Sequence, residues 1–179
     1  MGAGQSLRGC FDVLLIDGRS GSGKTSLAAR IVREFRATGV DPQLLRVEDL
    51  YPGWDGLAEG SLAVADVLDR GRYRRYDWYA DAFAEAHRIE PRAPLVIEGC
   101  GAITIDNLAA ARRWASRAAG EGALVRSLWL DCPDELRRSR ALARDGESYA
   151  PHWDRWAAQE DALYAAHEPW RLADEVLRV

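Results

Sequence analysis

The sequence predicts an α/β fold with three layers, in which helices cover both faces of a five-stranded, mainly parallel sheet. Two observations predict it. Short apolar runs of strand length alternate along the chain with longer segments whose apolar residues recur at helical spacing. Several of the apolar runs also end in glycine or in acidic residues, which is typical of the ligand-binding edge of a parallel sheet. We expect a single domain over 1–179, because no linker or repeat interrupts the pattern.

The first strand and the first helix are the clearest elements. FDVLLIDG (11–18) is a short apolar run that ends in glycine, as a buried strand does. From Lys24 to about Thr38, apolar residues recur every three or four positions, and Gly39 provides the end of the helix. These two segments frame a glycine-rich loop.

The remaining elements continue the alternation. Further strands are predicted at 41–51, 94–101, 123–133 and 174–179, the last at the edge of the sheet. Helices are predicted at 61–71, 107–120, 134–144 and 152–167. Strands that alternate with helices in this way favour parallel pairing.

Composition and charge exclude several classes of protein. The chain is 47% apolar, as in soluble globular proteins, and its net charge of -4 argues against general nucleic-acid binding. No apolar run approaches the roughly 20 residues that span a membrane, and the N-terminus lacks a signal-peptide core. Cys10, Cys100 and Cys132 are scattered, which favours buried thiols in a reducing compartment. We expect a cytoplasmic protein with no nucleic-acid or membrane partner; the sequence does not indicate an oligomeric state.

The loop GRSGSGKT (18–25) matches the pattern G-x(4)-G-K-[S/T] between a predicted strand and a predicted helix. Its glycines let backbone N–H groups converge on phosphate oxygens, and the helix N-terminus adds partial positive charge. Lys24 is the only lysine, whereas all other basic residues are arginine. A compact ammonium reaches between phosphates where the planar arginine fork does not substitute for it. The loop therefore predicts a P-loop NTPase fold that binds ATP.

The residues expected to contact the nucleotide share this loop and the first helical turn. They are Gly18, Ser20, Gly21, Ser22, Gly23, Lys24, Thr25 and Ser26. Thr25 is also expected to hold Mg²⁺ through its hydroxyl. A GTPase is excluded because the guanine-reading N-K-x-D is absent, and the only asparagine is Asn107. A transporter ATPase is excluded because no LSGGQ-like signature occurs.

Acidic residues follow two of the predicted strands. Glu48 and Asp49 follow the second strand, and Glu98 follows the third. In a parallel sheet these strand ends meet on the ligand side. A carboxylate there can orient metal-bound water or accept a proton from an attacking hydroxyl. We expect Glu48 or Asp49 to be the catalytic base and Glu98 to serve the metal; solvated or capping carboxylates are the alternative.

Three arginines follow the fourth strand. Arg137, Arg140 and Arg144 are spaced i, i+3, i+7 on one helical face. Guanidinium groups on one face suit a lid, at about 133–150, that closes over a transferring phosphate. An exposed basic face is the alternative. We expect all three to be catalytic.

With these motifs together, the chain resembles the uridine kinase and phosphoribulokinase-like group of P-loop kinases, within the nucleoside-monophosphate-kinase-type P-loop fold. The resembling segments beyond the loop are EDLY (48–51), YDW (76–78), VIEG (96–99) and DELRRSRALARD (134–145, ending at Asp145). The resemblance implies strand order 2-3-1-4-5, a helical arginine lid, ATP with Mg²⁺, and a small-molecule acceptor. It also implies that Asp77 holds the sugar hydroxyls of that acceptor.

The chain departs from this group in two respects. The position of the catalytic aspartate falls on Glu48, with Asp49 beside it. At 179 residues the chain is also short for a uridine kinase, which leaves less material for a hairpin that clasps the nucleoside.

Aromatic residues lie near the predicted acceptor side. Tyr51, Trp54 and Trp78 are expected to contact the acceptor, where a flat base could stack on a ring, although packing explains the tryptophans equally well. On the late helix, Glu160 shares the inner stripe with tryptophans and would require a partner such as a lid arginine, although a purely structural ion pair explains a carboxylate there equally well.

These observations predict an ATP-dependent kinase that phosphorylates a hydroxyl of a nucleoside-like, uridine-like acceptor. Two alternatives remain open. One is a P-loop kinase for a non-nucleoside alcohol, such as a sugar acid or a pantothenate-like compound. The other is a regulatory ATPase that binds nucleotide without an acceptor.

Overall fold

The computed structural model describes residues 11–179, without the side chains of residues 145, 147 and 148. Cys10 and the side chain of Asp145 therefore lie outside the described part. The strands are β1 (Val13–Gly18), β2 (Gln43–Arg46), β3 (Arg72–Asp77), β4 (Ala82–Arg88), β5 (Leu95–Glu98), β6 (Val125–Asp131) and β7 (Glu175–Arg178). The helices are α1 (Lys24–Arg36), α2 (Leu57–Arg70), α3 (Ile105–Ala119), α4 (Asp134–Tyr149), α5 (Trp153–His167) and α6 (Pro169–Leu172). Short 3-10 helices span Val47–Leu50, Gly53–Asp55 and Ala150–His152.

The main sheet has five strands in the order β2-β5-β1-β6-β7, and every neighbouring pair is parallel. Counted in chain order among themselves, these strands run 2-3-1-4-5, which confirms the predicted topology. The register pairs Glu98 with both Ile16 and Arg46. The carboxyl ends of β1, β2 and β5 therefore lie at one edge, beside the glycine loop.

The side chains of β1 alternate between two apolar core layers, one on each face of the sheet. Leu14 and Ile16 pack with α1, whereas Val13 and Leu15 pack on the opposite face with α2, α3 and α5. Successive strand side chains point to opposite faces, so an apolar run without polar breaks is buried on both sides. The predicted three-layer α/β class is confirmed.

A two-stranded antiparallel hairpin, β3 with β4, was not predicted. Its strands are rich in charged residues and mostly exposed, so the apolar alternation that marks a half-buried strand is weak. Arg74 holds the hairpin from the side by donating to the carbonyls of Phe83 and Ala84. The short chain therefore does have material for a hairpin, which lies against the 3-10 helix Val47–Leu50.

Other boundaries differ by part of an element. β2 ends at Arg46 and the chain turns into a 3-10 helix, where the prediction continued the strand. α2 begins at Leu57, four residues before the predicted start. Within residues 11–179, no helix has the length and apolar character that crossing a membrane requires.

Candidate active site

The glycine loop connects β1 to α1, and the side chain of Lys24 folds back over the backbone of this loop. The Nζ atom donates to the carbonyl oxygens of Gly18 (2.7 Å) and Arg19 (3.0 Å). The side chain is buried, and burial disfavours its charged form. The pKa of Lys24 is nevertheless raised, because the acidic groups around it, which include Glu160 and Asp17, outweigh that cost. The ammonium is therefore held charged at the centre of the loop.

Position 21 requires a glycine, because the loop passes very close to the backbone of α4 there. The φ of Gly21 is +80°, and a Cβ built there would lie 2.0 Å from the carbonyl oxygen of Arg137. Only a residue without a side chain permits the loop to touch the first turn of α4 in this way. Of the other predicted loop contacts, Ser22 is buried, and its hydroxyl has no hydrogen-bond partner among the described residues. Ser26 is exposed in the first turn of α1.

Asp17 lies at the end of β1, directly before the loop, and the sequence analysis did not identify it as a site residue. Its carboxylate accepts hydrogen bonds from the N–H groups of Gly18 (2.7 Å), Gly101 (3.1 Å) and Ile103 (2.8 Å), and from the hydroxyl of Tyr164 (2.9 Å). Complete burial raises its pKa to about 6, although these hydrogen bonds oppose the shift. The sequence feature that could have identified Asp17 is a charged residue at the end of an apolar strand.

Thr25 and Glu98 lie side by side at the mouth of the loop. The hydroxyl of Thr25 donates to Oε2 of Glu98 over 3.3 Å. Burial raises the pKa of Glu98, while Lys24 and this hydrogen bond lower it. Among the described residues no group of three or more His, Cys, Asp or Glu side chains could hold a metal ion. An alcohol and one carboxylate nevertheless fit Mg²⁺, which usually takes few protein ligands and completes its shell with water and phosphate oxygens.

One cavity of about 400 Å³ joins most of the predicted site. Its walls come from the loop, the end of β5, the segment after β2, the hairpin turn and the end of the lid. The lining residues are Ser20, Gly21, Lys24, Thr25, Glu48, Tyr51, Trp54, Trp78, Tyr79, Glu98, Gly99, Cys100, Arg144, Tyr149 and Trp156. The phosphate loop and three of the predicted acceptor residues, Tyr51, Trp54 and Trp78, thus face the same space.

The 3-10 helix after β2 separates the two candidate bases. Glu48 lines the cavity. Asp49 lies on another side of this turn, where the charges of Arg46 and Arg75 act on it. Partial burial raises the pKa of Asp49 and those charges lower it. The geometry therefore places Glu48, and not Asp49, in the cavity with Lys24.

The aromatic residues form one connected cluster. The ring of Trp54 stacks on His152, with ring centroids 4.1 Å apart, and contacts Trp78 edge to face at 5.0 Å. The hydroxyl of Tyr51 donates a hydrogen bond to the backbone carbonyl of Cys100 at 2.7 Å. The indole N–H of Trp156 is buried without a hydrogen-bond partner in the described structure. Much of the cavity wall is therefore aromatic.

Asp77 lies in the hairpin and does not line the cavity. Its carboxylate accepts from the backbone N–H groups of Tyr79 (2.9 Å) and Ala80 (3.1 Å), which lowers its pKa. These hydrogen bonds close the turn that carries Trp78 and Tyr79. A role in holding sugar hydroxyls stays a prediction.

The three lid arginines have separate surroundings. Arg137 is buried and pairs with Glu160 (3.3 Å) and Asp134 (2.7 Å). Arg140 is exposed and contacts the thiol of Cys132. Of the three, Arg144 is the one that lines the cavity. The Arg137–Glu160 pair is the contact expected from the inner stripe of the late helix.

Cys100 lies at the back of the site and was predicted only as a buried thiol. Its sulfur is 3.4 Å from Nζ of Lys24 and 3.4 Å from Oε1 of Glu160. Burial raises its pKa to about 12, so the thiol stays protonated at neutral pH. It is a packing and hydrogen-bonding group and not a nucleophile.

Comparison with known proteins supports the fold. No protein-family model matches the chain, and no curated protein matches it. Among solved structures, it is similar to a possible uridine kinase from Bacillus stearothermophilus, with TM-score 0.56 and 19% identity over 94% of this chain and 89% of that one. The APS kinase of Mycobacterium tuberculosis, in complex with AMPPNP and APS, gives TM-score 0.50 and 17% identity over 94% and 88%. At these identities the similarity shows the fold alone, which is that of the P-loop kinases.

Proposed function

We propose that the protein is an ATP-dependent kinase that transfers the γ-phosphoryl group to a hydroxyl of a small, nucleoside-like acceptor. One observation carries the proposal: Lys24 and Thr25 line the same cavity as Glu48 and several aromatic rings. A phosphate donor and an alcohol can therefore meet within one cavity.

The loop binds the donor. Its backbone N–H groups and the N-terminus of α1 attract the phosphates, and Lys24 supplies a fixed positive charge among them. Thr25 and Glu98 would hold Mg²⁺, which neutralises charge on the donor phosphates when bound. The surrounding carboxylates keep Lys24 protonated before the nucleotide arrives.

Glu48 and Arg144 serve the transfer step. The oxygen of the acceptor hydroxyl forms a bond to the γ-phosphorus while the bond from that phosphorus to the bridging oxygen of ADP breaks. Glu48 accepts the proton that the hydroxyl releases. Arg144, at the end of the lid, offsets the charge on the transferring group.

The aromatic wall favours a flat acceptor. Trp54, Trp78 and Trp156 border the cavity, and aromatic rings accommodate a planar base better than a flexible polyol. The hairpin turn that Asp77 closes carries Trp78 into this wall. The acceptor class is therefore a ring compound that bears a primary or secondary alcohol, such as a pyrimidine nucleoside.

The experiment measures ADP release from ATP and Mg²⁺ with a panel of nucleosides, sugars, sugar acids and small alcohols. We expect one ring-bearing alcohol to raise the rate well above the rate without acceptor. Stimulation by a sugar acid or a pantothenate-like alcohol would retain the kinase and replace the acceptor class. Hydrolysis that no acceptor changes would favour the regulatory ATPase.

A further inference from the structure

A buried carboxylate on α5 joins the phosphate loop to the lid helix. Glu160 has a relative exposure of 0%, and its Oε1 accepts a hydrogen bond from the backbone N–H of Ser20 at 2.7 Å. Its Oε2 lies 3.3 Å from Nη1 of Arg137 and 3.8 Å from Nη1 of Arg19. Burying a carboxylate carries a large desolvation cost, and an apolar residue would pack α5 equally well. Packing alone therefore does not account for Glu160.

Arg137 is held from several sides. Its Nε donates to Asp134 at 2.7 Å, and its guanidinium lies over the ring of Trp153 at 5.1 Å. The backbone of the same residue touches the loop, since a Cβ on Gly21 would meet its carbonyl oxygen at 2.0 Å. The first turn of α4 and the loop are thus joined by backbone packing and, through Glu160, by side chains.

We propose that Glu160 is a positioning residue that fastens the phosphate loop to the first turn of the lid helix and maintains the loop in its phosphate-binding shape. The inference rests on the proposed function, because loop shape has this importance only if the loop binds nucleotide. Glu160 is not part of the cavity wall, so it acts through Ser20 and Arg137 and not on a substrate.

The same arrangement divides the lid into two parts. The turn that contains Arg137 is fixed to the loop, whereas Arg144 lies two helical turns further along, at the cavity. Just beyond it, Gly146 has non-helical angles (φ 55, ψ -133) that kink α4. Beyond this kink, the last residue of α4, Tyr149, is buried against Trp54 and Trp153.

The experiment compares Glu160→Gln with Asp161→Asn in equilibrium binding of ATP with Mg²⁺, without any acceptor. Asp161 is the matched control because it is adjacent on α5, is also a carboxylate and also pairs with Arg19, at 2.6 Å, but is exposed. Glutamine has the size of glutamate but cannot hold Arg137 by charge. We expect Glu160→Gln to weaken binding about 10- to 100-fold, as outer-shell substitutions commonly do, and Asp161→Asn to change it less than about threefold.

A second variant protects the test against simple misfolding. The double change Glu160→Met with Arg137→Met replaces the buried pair by apolar side chains, a change that often preserves stability. We expect this variant to fold and to bind ATP more weakly than the wild type. In the unmodified protein without nucleotide, we also expect slow hydrogen exchange at the Ser20 amide, because Glu160 protects it.

The outcomes separate the two proposals. A wild-type protein that does not bind ATP contradicts the proposed function. If the wild type binds ATP and the folded Glu160 variants bind it equally well, the positioning role is overturned and the proposed function stands. Should neither variant fold, fast exchange at Ser20 in the wild type overturns the positioning role, and slow exchange supports it.

Discussion

The hydroxyl of Thr25 donates a hydrogen bond to the carboxylate of Glu98 across 3.3 Å, and so connects the first turn of α1 to the end of β5. The sheet sets this contact, because the register of β1 and β5 pairs Ile16 with Glu98 and brings the carboxylate level with the loop. A local loop motif and a residue more than 70 positions away in sequence thus form one candidate metal site.

The first prediction concerns this pair. Thr25→Val preserves the side-chain shape but removes the hydroxyl, whereas Thr25→Ser retains it. We expect the valine variant to need about tenfold more Mg²⁺ for half-maximal ATP turnover, in line with losses at metal sites, and the serine variant to resemble the wild type. Equal Mg²⁺ requirements for the two variants would contradict a role of Thr25 at the metal.

The second prediction concerns Lys24. Its Nζ is enclosed by the loop carbonyls, so a guanidinium would not fit in the same place. We expect both Lys24→Ala and Lys24→Arg to lower turnover by at least about a hundredfold, the usual cost of losing one electrostatic stabiliser. Circular dichroism should show an unchanged fold. Near-normal turnover in either variant would show that the ammonium does not contact the phosphates.

The third prediction distinguishes the two candidate bases. Glu48→Gln removes the carboxylate that lines the cavity, and Asp49→Asn is its matched control on the next residue. We expect the first change to lower kcat about 10²- to 10⁴-fold with little effect on the KM for ATP. The second should leave kcat nearly unchanged. A larger loss in Asp49→Asn would reverse the assignment.

The fourth prediction concerns the lid. Arg144 lines the cavity, whereas Arg140 is exposed and contacts Cys132. Arg144→Ala should lower kcat by about a thousandfold, as loss of a phosphate-stabilising arginine does in related chemistry. Arg140→Ala should lower it by no more than about threefold, because an exposed charge contributes little. Similar losses in both variants would contradict a role that belongs to Arg144 and not to Arg140.

The fifth prediction is a pH dependence of stability. Burial raises the pKa of Asp17 from 3.8 to about 6, so the folded protein retains a proton that the unfolded chain releases between these values. This contribution to stability is fully present below about pH 4 and is lost as pH rises through about 6, a change of about 3 kcal/mol. Asp17→Asn cannot ionise.

Unfolding in urea at a series of pH values tests this point. Any loss of hydrogen bonding in Asp17→Asn shifts its free energy of unfolding at all pH values alike. The wild type alone should lose stability through Asp17 as pH rises, so the difference between the two proteins should change by about 3 kcal/mol between about pH 4 and 7. A difference that is constant with pH would show that Asp17 has an ordinary pKa.

Sequence reasoning predicted the features that depend on local pattern. The apolar runs predicted the strands of the main sheet, and the glycine loop lies between β1 and α1, where it was predicted. The hairpin was not predicted, because β3 and β4 pair with each other and their charged side chains are mostly exposed. Their sequences therefore show no clear apolar alternation. The sequence also could not show which residue after β2 faces the cavity. A 3-10 helix follows β2 where a strand was predicted, and this helix directs Glu48 toward the cavity.

Long-range contacts set the remaining parts of the site. Helical spacing places Arg137 and Arg144 on nearly the same face, yet one is buried against Glu160 and the other borders the cavity. The difference arises from α5, whose buried Glu160 pairs with Arg137 at the start of the lid. Asp17 was missed because its partners Gly101, Ile103 and Tyr164 are distant in sequence. Such contacts leave no periodic signal.

Transfer of the γ-phosphoryl group itself tests the central claim most directly. ATP labelled in its γ-phosphate is incubated with the protein, Mg²⁺ and the acceptor that most stimulates ADP release, and the labelled products are separated. The account predicts that the label appears in a phosphate ester of the acceptor, in equal amount to the ADP formed, and that Glu48→Gln suppresses it. Label that appears only as inorganic phosphate would contradict a kinase and indicate an ATPase.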